Sequence, residues 1–238
     1  MVGTGRQGHY PSWHTASAQG PRTSNADAVG AFAAAAGPGI VFALADGVGD
    51  DPGAAKAART AASVAVRTPV AEGPVAAVLA AQRAVRELGG TGDSVLVVAM
   101  PTAGGYRVAW VGDARAYAWD GFVLRQVTTD HTLAEYFRAQ DQPTAPHMEH
   151  IVTTSVRTAH ENEIGTAEVA GGGLLLTSDG VHKALTVAMM AAILAEPGKA
   201  AAALTETAIA VGGTDNATAI FVEPPPSDLV TDRFTLAA

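Results

Sequence analysis

The 238-residue sequence lacks cysteine, contains only 5% aromatic residues, and has no apolar run near the roughly 20 residues of a membrane span. The absence of cysteine excludes disulfide bonds and thiolate metal ligands. The N-terminal residues have no apolar core behind their few charges, so we expect no secretory signal. These absences predict a soluble, globular, cytoplasmic protein without a membrane partner.

Basic residues are scarce as well. The sequence has 15 Lys and Arg against 23 Asp and Glu, a formal net charge of −8. It contains no basic cluster that could neutralise a phosphate backbone, so nucleic acid is not an expected partner. Carboxylates that converge in a fold collect cations instead, and we therefore expect function where acidic residues come together.

Two similar groups of elements are predicted, each a strand, two helices and a second strand. Their ranges are 40–45, 53–66, 74–88 and 94–100 in the first group, and 171–180, 184–198, 199–213 and 217–223 in the second. The strand ranges are short apolar runs bounded by turn formers, and the helical ranges are rich in alanine. Strands accompanied by helix pairs predict an α+β fold, a four-layer αββα sandwich of two antiparallel sheets flanked by helix pairs.

The remaining segments complete this organisation. Residues 106–126 contain three strand-like pieces, which we expect to form an antiparallel meander with Asp120 and Gly121 in its last turn. Residues 132–165 are polar and predict a partly helical surface excursion. Three prolines begin at residue 224, so we expect one domain at 1–223 and a Pro-rich C-terminal tail at 224–238.

Four aspartates follow or precede predicted strands beside a small residue. They are Asp46, Asp113, Asp179 and Asp215. Each alone is an ordinary turn former. Together they favour a shared site, because carboxylates brought together repel one another unless a hard cation neutralises them. An all-oxygen ligand set, to which a glycine carbonyl such as that of Gly47 can add, favours Mg²⁺ or Mn²⁺ over Zn²⁺ or copper.

Five motifs stand in order between about residue 15 and residue 223. They are "RTSNAD", "ADGVG", "VAWVGDARAYAWDG" followed by "LRQVTTDHT", "LLLTSDGV" and "GTDNATAIFV". This set resembles the metal-dependent protein phosphatases of the PPM family, type 2C, in their compact bacterial form. The resemblance implies a serine/threonine phosphoprotein phosphatase with two Mn²⁺ or Mg²⁺ ions between the sheets, in which a hydroxide bridging the metals attacks phosphorus directly.

The resemblance also implies roles for single residues. The metal ligands would be Asp46, which bridges both ions, the carbonyl of Gly47, Asp179, Asp215 and, at a weaker third site shared with Asp179, Asp113. Arg22 would bind the substrate phosphate, a role suited to a guanidinium, so catalysis is expected to depend on Arg22 and Asp46. The expected partners are phosphoserine and phosphothreonine proteins and an opposing Ser/Thr kinase, and we expect a monomer.

Two positions depart from the family pattern. Ala26 replaces a glutamate that touches the metal cluster through water, so weaker binding of one ion is expected. Val48 replaces a histidine that many eukaryotic members have as a proposed general acid, which leaves protonation of the leaving group to water or an unidentified group. Ala26 keeps an alternative open, a catalytically weak or inactive relative that acts as a phosphoprotein-binding or regulatory module.

Overall fold

The computed structural model describes residues 12–34, 39–196 and 198–224, which form ten strands and six α-helices. The strands are β1 Trp13–Ala18, β2 Ala28–Ala33, β3 Ile40–Gly47, β4 Ser94–Thr102, β5 Gly105–Val111, β6 Arg115–Trp119, β7 Leu124–Gln126, β8 Gly165–Ala170, β9 Gly173–Thr177 and β10 Ala217–Val222. The α-helices are α1 Pro52–Ala65, α2 Gly73–Glu87, α3 Leu133–Arg138, α4 Asp179–His182, α5 Val187–Ala195 and α6 Ala200–Ala210. Short 3-10 helices cover Val70–Glu72, Pro146–His150 and Glu161–Glu163.

Two antiparallel five-stranded sheets form the centre of the molecule. The strand order is β1-β10-β9-β6-β7 in one sheet and β2-β3-β4-β5-β8 in the other. Side chains alternate along each strand, so a strand covered on both faces is apolar throughout. Strand β3 is an example, because Phe42 and Leu44 pack between the sheets while Val41 and Ala43 pack beneath α1 and α2. The predicted four-layer αββα sandwich is therefore confirmed.

The helix pairs cover the outer faces of the sheets. Alanines of α1 and α2 pack against β3, β4 and β5, and a separate cluster joins α5 and α6 to β9, β6 and β10. Helix α1 starts directly after the glycine-rich loop that follows β3. Asp51 caps it by accepting hydrogen bonds from the backbone N–H groups of Gly53 and Ala54, and Pro52 occupies its first turn. This cap fixes the loop beside Asp46.

The predicted meander at 106–126 is wrong, because β5 and β6 lie in different sheets. Strand β5 pairs with β4 and β8, whereas β6 pairs with β7 and β9. The chain crosses between the sheets at Gly112, whose φ of 88° and close approach to Val95 leave no room for a Cβ atom. Only the last hairpin is confirmed, with Asp120 accepting hydrogen bonds from two N–H groups of its turn. The crossing brings Asp113 to the cleft between the sheets.

Other predicted segments fit the structure to different degrees. Residues 132–165 contain α3 and two 3-10 helices, as expected of a partly helical excursion. Strands β1, β2 and β8 were not predicted from sequence. Residues 225–238 lie outside the described residues, so the C-terminal tail stays a prediction. Over the described ranges, no single helix is long and apolar enough to span a membrane, although the segments Pro52–Ala65 and Val70–Glu87 pass that test as a pair bent by 93°.

Candidate metal centre

One cleft of about 200 Å³ brings together every residue that the sequence assigns to the site. Its walls include Arg22, Asp46, Gly47, Asp113, Asp179 and Asp215. These residues come from five separate segments of the chain and from both sheets. Their convergence, which the sequence pattern alone left open, is therefore a property of the tertiary fold.

Asp46 and Gly47 are held at the end of β3 by tight backbone packing. Both residues pair with β4, opposite Val95 and Ser94. The N–H group of Gly47 donates a hydrogen bond to the carbonyl of Ala26 at 3.2 Å. A Cβ atom at Gly47 would lie 2.8 Å from the backbone of Ala54, so only glycine allows this approach of β3 to α1.

The carboxylates of the cleft destabilise one another in their ionised form. Burial raises the pKa of Asp46 well above its ordinary value, and the charges of four neighbouring aspartates raise it further. These neighbours are Asp27, Asp179, Asp113 and Asp215. Burial also raises the pKa of Asp27 to about 7, although hydrogen bonds from Thr218 and Ser178 oppose the shift. The cluster must therefore hold protons or a cation near neutral pH.

Two basic residues neutralise part of this charge. Arg22 Nη2 lies 2.6 Å from Asp215 Oδ2. Lys183 Nζ lies 2.9 Å from Asp113 Oδ2 and 2.7 Å from Asp179 Oδ2. Burial lowers the pKa of Lys183, but the two carboxylates outweigh it and raise that pKa above its ordinary value. In the described part of the chain, no three acidic or histidine side chains are arranged to hold a metal ion.

Arg22 owes its position to the loop that precedes β2. The side chain of Asn216 donates hydrogen bonds to the carbonyls of Gln19 and Ser24, and its oxygen accepts one from the N–H group of Ala26. Arg22 Nε donates a further hydrogen bond to the carbonyl of Thr214 at 3.3 Å. The "DN" pair of the last motif thus has two functions: Asp215 contacts Arg22, and Asn216 fastens the loop that carries it.

Asp113 is positioned by contacts across the sheet crossing. The backbone N–H of His131 donates to the carbonyl of Gly112 at 2.9 Å, and His131 Nδ1 accepts a hydrogen bond from the N–H of Gly112 at 3.3 Å. Arg115 binds both carboxylate oxygens of Asp130, at distances from 2.6 to 3.1 Å. The pair Asp130 and His131 therefore has a structural role beside the site.

The fold of this chain is similar to that of several solved protein structures. No family model matches the chain, and no curated protein matches it. Among solved structures, the PPM Ser-Thr phosphatase MsPP from Mycobacterium smegmatis, in complex with cacodylate, is 27% identical with a TM-score of 0.72, covering 89% of this chain and 97% of that chain. The S. agalactiae serine/threonine phosphatase is 22% identical with a TM-score of 0.80, covering 90% of this chain and 99% of its own. The catalytic domain of PstP in complex with two manganese ions is 24% identical with a TM-score of 0.73, covering 90% of this chain and 97% of that chain. The chain has the PPM phosphatase fold.

The donor set of this PPM fold suits a pair of hard divalent cations. Asp46, Gly47, Asp179 and Asp215 offer only oxygen atoms, which Mg²⁺ and Mn²⁺ prefer. Oδ1 of Asp27 is buried without a hydrogen-bond partner, and Ser178 donates to Oδ2 of the same carboxylate at 2.9 Å. Asp27 was not among the predicted site residues, although it ends the "RTSNAD" motif. The implied third site differs, because the ammonium group of Lys183 lies between its two carboxylates.

A second, larger cleft of about 450 Å³ adjoins the carboxylates. It shares Arg22, His150, Asp179 and Asp215 with the first cleft, and its wall also includes Lys183. His150 ends the 3-10 helix Pro146–His150, so the excursion at 132–165 borders this cleft. The excursion therefore contributes to the wall of the candidate site.

Proposed function

We propose that this protein is a Mn²⁺- or Mg²⁺-dependent phosphatase that hydrolyses phosphoserine and phosphothreonine in proteins. One observation carries the proposal: Asp46, Gly47, Asp179 and Asp215 converge with Arg22 in one cleft of a PPM fold. The likeness to solved serine/threonine phosphatases, one of them in complex with two manganese ions, supports it. The absence of cysteine excludes the mechanism of cysteine-nucleophile phosphatases.

In this proposal, four residues hold two ions. Asp46 lies at the centre of the carboxylate cluster and would contact both, the carbonyl of Gly47 would bind one of them, and Asp179 and Asp215 would complete the protein ligands. When bound, such ions supply a water-derived nucleophile at neutral pH and offset the charge of the phosphoryl group. The raised pKa of Asp46 means that ion binding displaces protons from the cluster.

Arg22 would bind the phosphate. Its guanidinium stands in both clefts and has donors arranged to grip two oxygen atoms at once. To do so it must leave Asp215, which an ion at Asp215 would favour by taking over the same carboxylate. Metal binding would therefore release the guanidinium of Arg22 from Asp215, so that it can bind the substrate phosphate.

The larger cleft would receive the phosphorylated side chain and its flanking residues. Small residues line one wall, among them Gly212, Gly213 and Ala184, and leave room for a peptide backbone. Val48 is half exposed beside the carboxylates and cannot donate a proton. We therefore propose that solvent water protonates the leaving oxygen.

A second function, phosphoprotein binding without turnover, is favoured by a single observation. Ala26, 2% exposed, lies against Gly47, where the family pattern has a glutamate. In this version the same cleft would bind a phosphoprotein but lack a complete set of metal contacts. The two functions differ in turnover, not in fold.

Hydrolysis assays separate these functions. Phosphate release from a phosphothreonine peptide and from an aryl phosphate is measured with Mn²⁺, with Mg²⁺ and with a chelator. We expect metal-dependent turnover that Asp46→Asn and Asp179→Asn each abolish. Asp120→Asn, in the hairpin at the far end of β6, is the matched control and should keep full activity. A folded protein that binds Mn²⁺ and the phosphopeptide but releases no phosphate would instead establish the binding module.

A further inference from the structure

Lys183 occupies a specific place between two acidic residues of the site. Its ammonium group donates to Oδ2 of both Asp113 and Asp179, at 2.9 and 2.7 Å. The Asp113 side chain is 5% exposed, that of Asp179 18% and that of Lys183 22%, so the three groups are largely shielded from water. Lys183 is one of three lysines in the sequence, and the other two, Lys56 and Lys199, are exposed.

The fold fixes this contact from two sides. Asp179 begins α4 and Lys183 follows it by four residues, so their side chains lie on one face of the chain, and the N–H of Lys183 donates to the carbonyl of Asp179 at 2.8 Å. Asp113 approaches from the crossing between β5 and β6, which Gly112 and His131 hold in place. The lysine therefore links two segments that would otherwise present facing carboxylates.

A divalent cation cannot share this position with the ammonium group. Both would need the same two carboxylate oxygens, and two positive groups within about 4 Å in a shielded site repel strongly. A lysine ammonium is a compact charge with three donors, which allows it to satisfy both oxygens at once. Lys183 thus occupies the position between Asp113 and Asp179 and offsets one of their two negative charges.

We propose that Lys183 replaces a third metal ion, so that the protein binds two ions and not three. The inference rests on the proposed metal-dependent function and concerns its metal stoichiometry. Lys183 holds Oδ2 of Asp179 and leaves the other oxygen of that carboxylate for an ion of the core pair. It acts as a positioning residue for Asp179 and as a fixed counter-charge for Asp113.

Counting bound Mn²⁺ tests the proposal. Equilibrium dialysis with elemental analysis is carried out on the chelator-treated full chain up to millimolar Mn²⁺, alongside Lys183→Ala and Lys183→Met, with Lys56→Ala as the matched exposed control. We expect two ions per chain in the wild type and in Lys56→Ala, and one additional, weaker ion in Lys183→Ala. Adding Asp113→Asn to Lys183→Ala should abolish the additional ion. Lys183→Met keeps the aliphatic stem, so it tests the loss of charge should the alanine variant fail to fold.

Several outcomes would overturn the inference. A third ion bound by the wild type would show that Lys183 does not block the site, and an unchanged count of two in both folded Lys183 variants would show that it is not the cause. A rise in KM without a change in stoichiometry would assign Lys183 to the phosphate instead. In each of these cases the wild type would still release phosphate with Mn²⁺. If the proposed function itself were wrong, the wild type would show neither bound Mn²⁺ nor turnover.

Discussion

The guanidinium of Arg22 and the carboxylate of Asp215 form an ion pair, with Nη2 2.6 Å from Oδ2. In the proposed reaction these two groups have different partners, a phosphate for Arg22 and a metal ion for Asp215. The pair therefore competes with both ligands. Its side chains are each 35% exposed, so its own contribution to stability is small, about 0–1 kcal/mol.

Arg22→Ala should consequently weaken substrate binding without weakening metal binding. We expect KM for a phosphothreonine peptide to rise about tenfold or more, because a hydrogen-bonded ion pair with the phosphate is lost. Mn²⁺ affinity should stay the same or rise slightly, since Asp215 is released. Steady-state kinetics at saturating Mn²⁺ and calorimetric Mn²⁺ titration measure the two effects, with Arg59→Ala on the exposed side of α1 as control. Weaker Mn²⁺ binding would show that Arg22 supports the metal site and not the phosphate.

Asp46→Asn should stabilise the metal-free protein although it abolishes activity. Burial and neighbouring charges raise the pKa of Asp46 well above that of the unfolded chain, so ionising it costs folding free energy. Asparagine resembles the neutral acid and avoids this cost. Each kcal/mol gained raises Tm by roughly 2–4 °C in a chain of this size. Thermal unfolding of chelator-treated protein at pH 7.5 measures the difference.

The pH dependence of this difference has a defined sign. A folded-state pKa above the unfolded value means that wild-type stability falls as pH rises between the two values. The advantage of Asp46→Asn should therefore shrink as pH falls toward the ordinary pKa of an aspartate, because Asp46 is then protonated in the folded and the unfolded chain alike. Saturating Mn²⁺ should reverse the order at pH 7.5 by stabilising the wild type alone. An advantage that does not change with pH would contradict a buried carboxylate cluster.

Gly180→Ala, a substitution in α4, should lower the free energy of unfolding and weaken metal binding. Alanine normally stabilises a helix by about 1 kcal/mol relative to glycine. Here the new Cβ would lie 2.0 Å from the carbonyl oxygen of Asn216 and 3.3 Å from Cβ of Asp215. We expect a loss of about 2 kcal/mol or more in unfolding free energy, measured in urea, together with weaker Mn²⁺ binding. Gly104→Ala, which has open space around its Cβ, is the control, and an equal effect at both positions would refute the steric argument.

Ala26→Glu should tighten Mn²⁺ binding. Ala26 contacts Gly47, whose carbonyl is a proposed ligand, and its N–H group is bound by the side chain of Asn216. A carboxylate there could reach the water shell of the nearby ion, and groups of this kind commonly change affinity about 10–100-fold. Ala26→Gln is the uncharged control. Identical Mn²⁺ titrations of wild type and a folded Ala26→Glu would mean that position 26 does not influence the ions.

The sequence predicted the layers of this fold because its central strands are continuous apolar runs and its helices are long and rich in alanine. It missed β1 and β2, which are partly exposed, so their apolar pattern is weak. It misplaced β5 because strands buried on both faces do not reveal which sheet they join. The change of sheet at Gly112 depends on packing against Val95, a contact far apart in sequence.

The same limit applies to the candidate site. Motif order was sufficient to select Arg22 and the four aspartates, which all line one cleft. The i to i+4 spacing of Asp179 and Lys183 could have predicted one ion pair. The second contact of Lys183, with Asp113, requires two segments 70 residues apart to meet, which only the tertiary structure provides.

The most direct measurement is the rate of phosphate release from a phosphothreonine peptide along a Mn²⁺ titration of chelator-treated protein. A two-ion centre built on Asp46 predicts no release without metal, a rate that rises as the ions bind, and no release by Asp46→Asn at any Mn²⁺ concentration. Phosphate release that persists in chelator, or that Asp46→Asn retains, would contradict it.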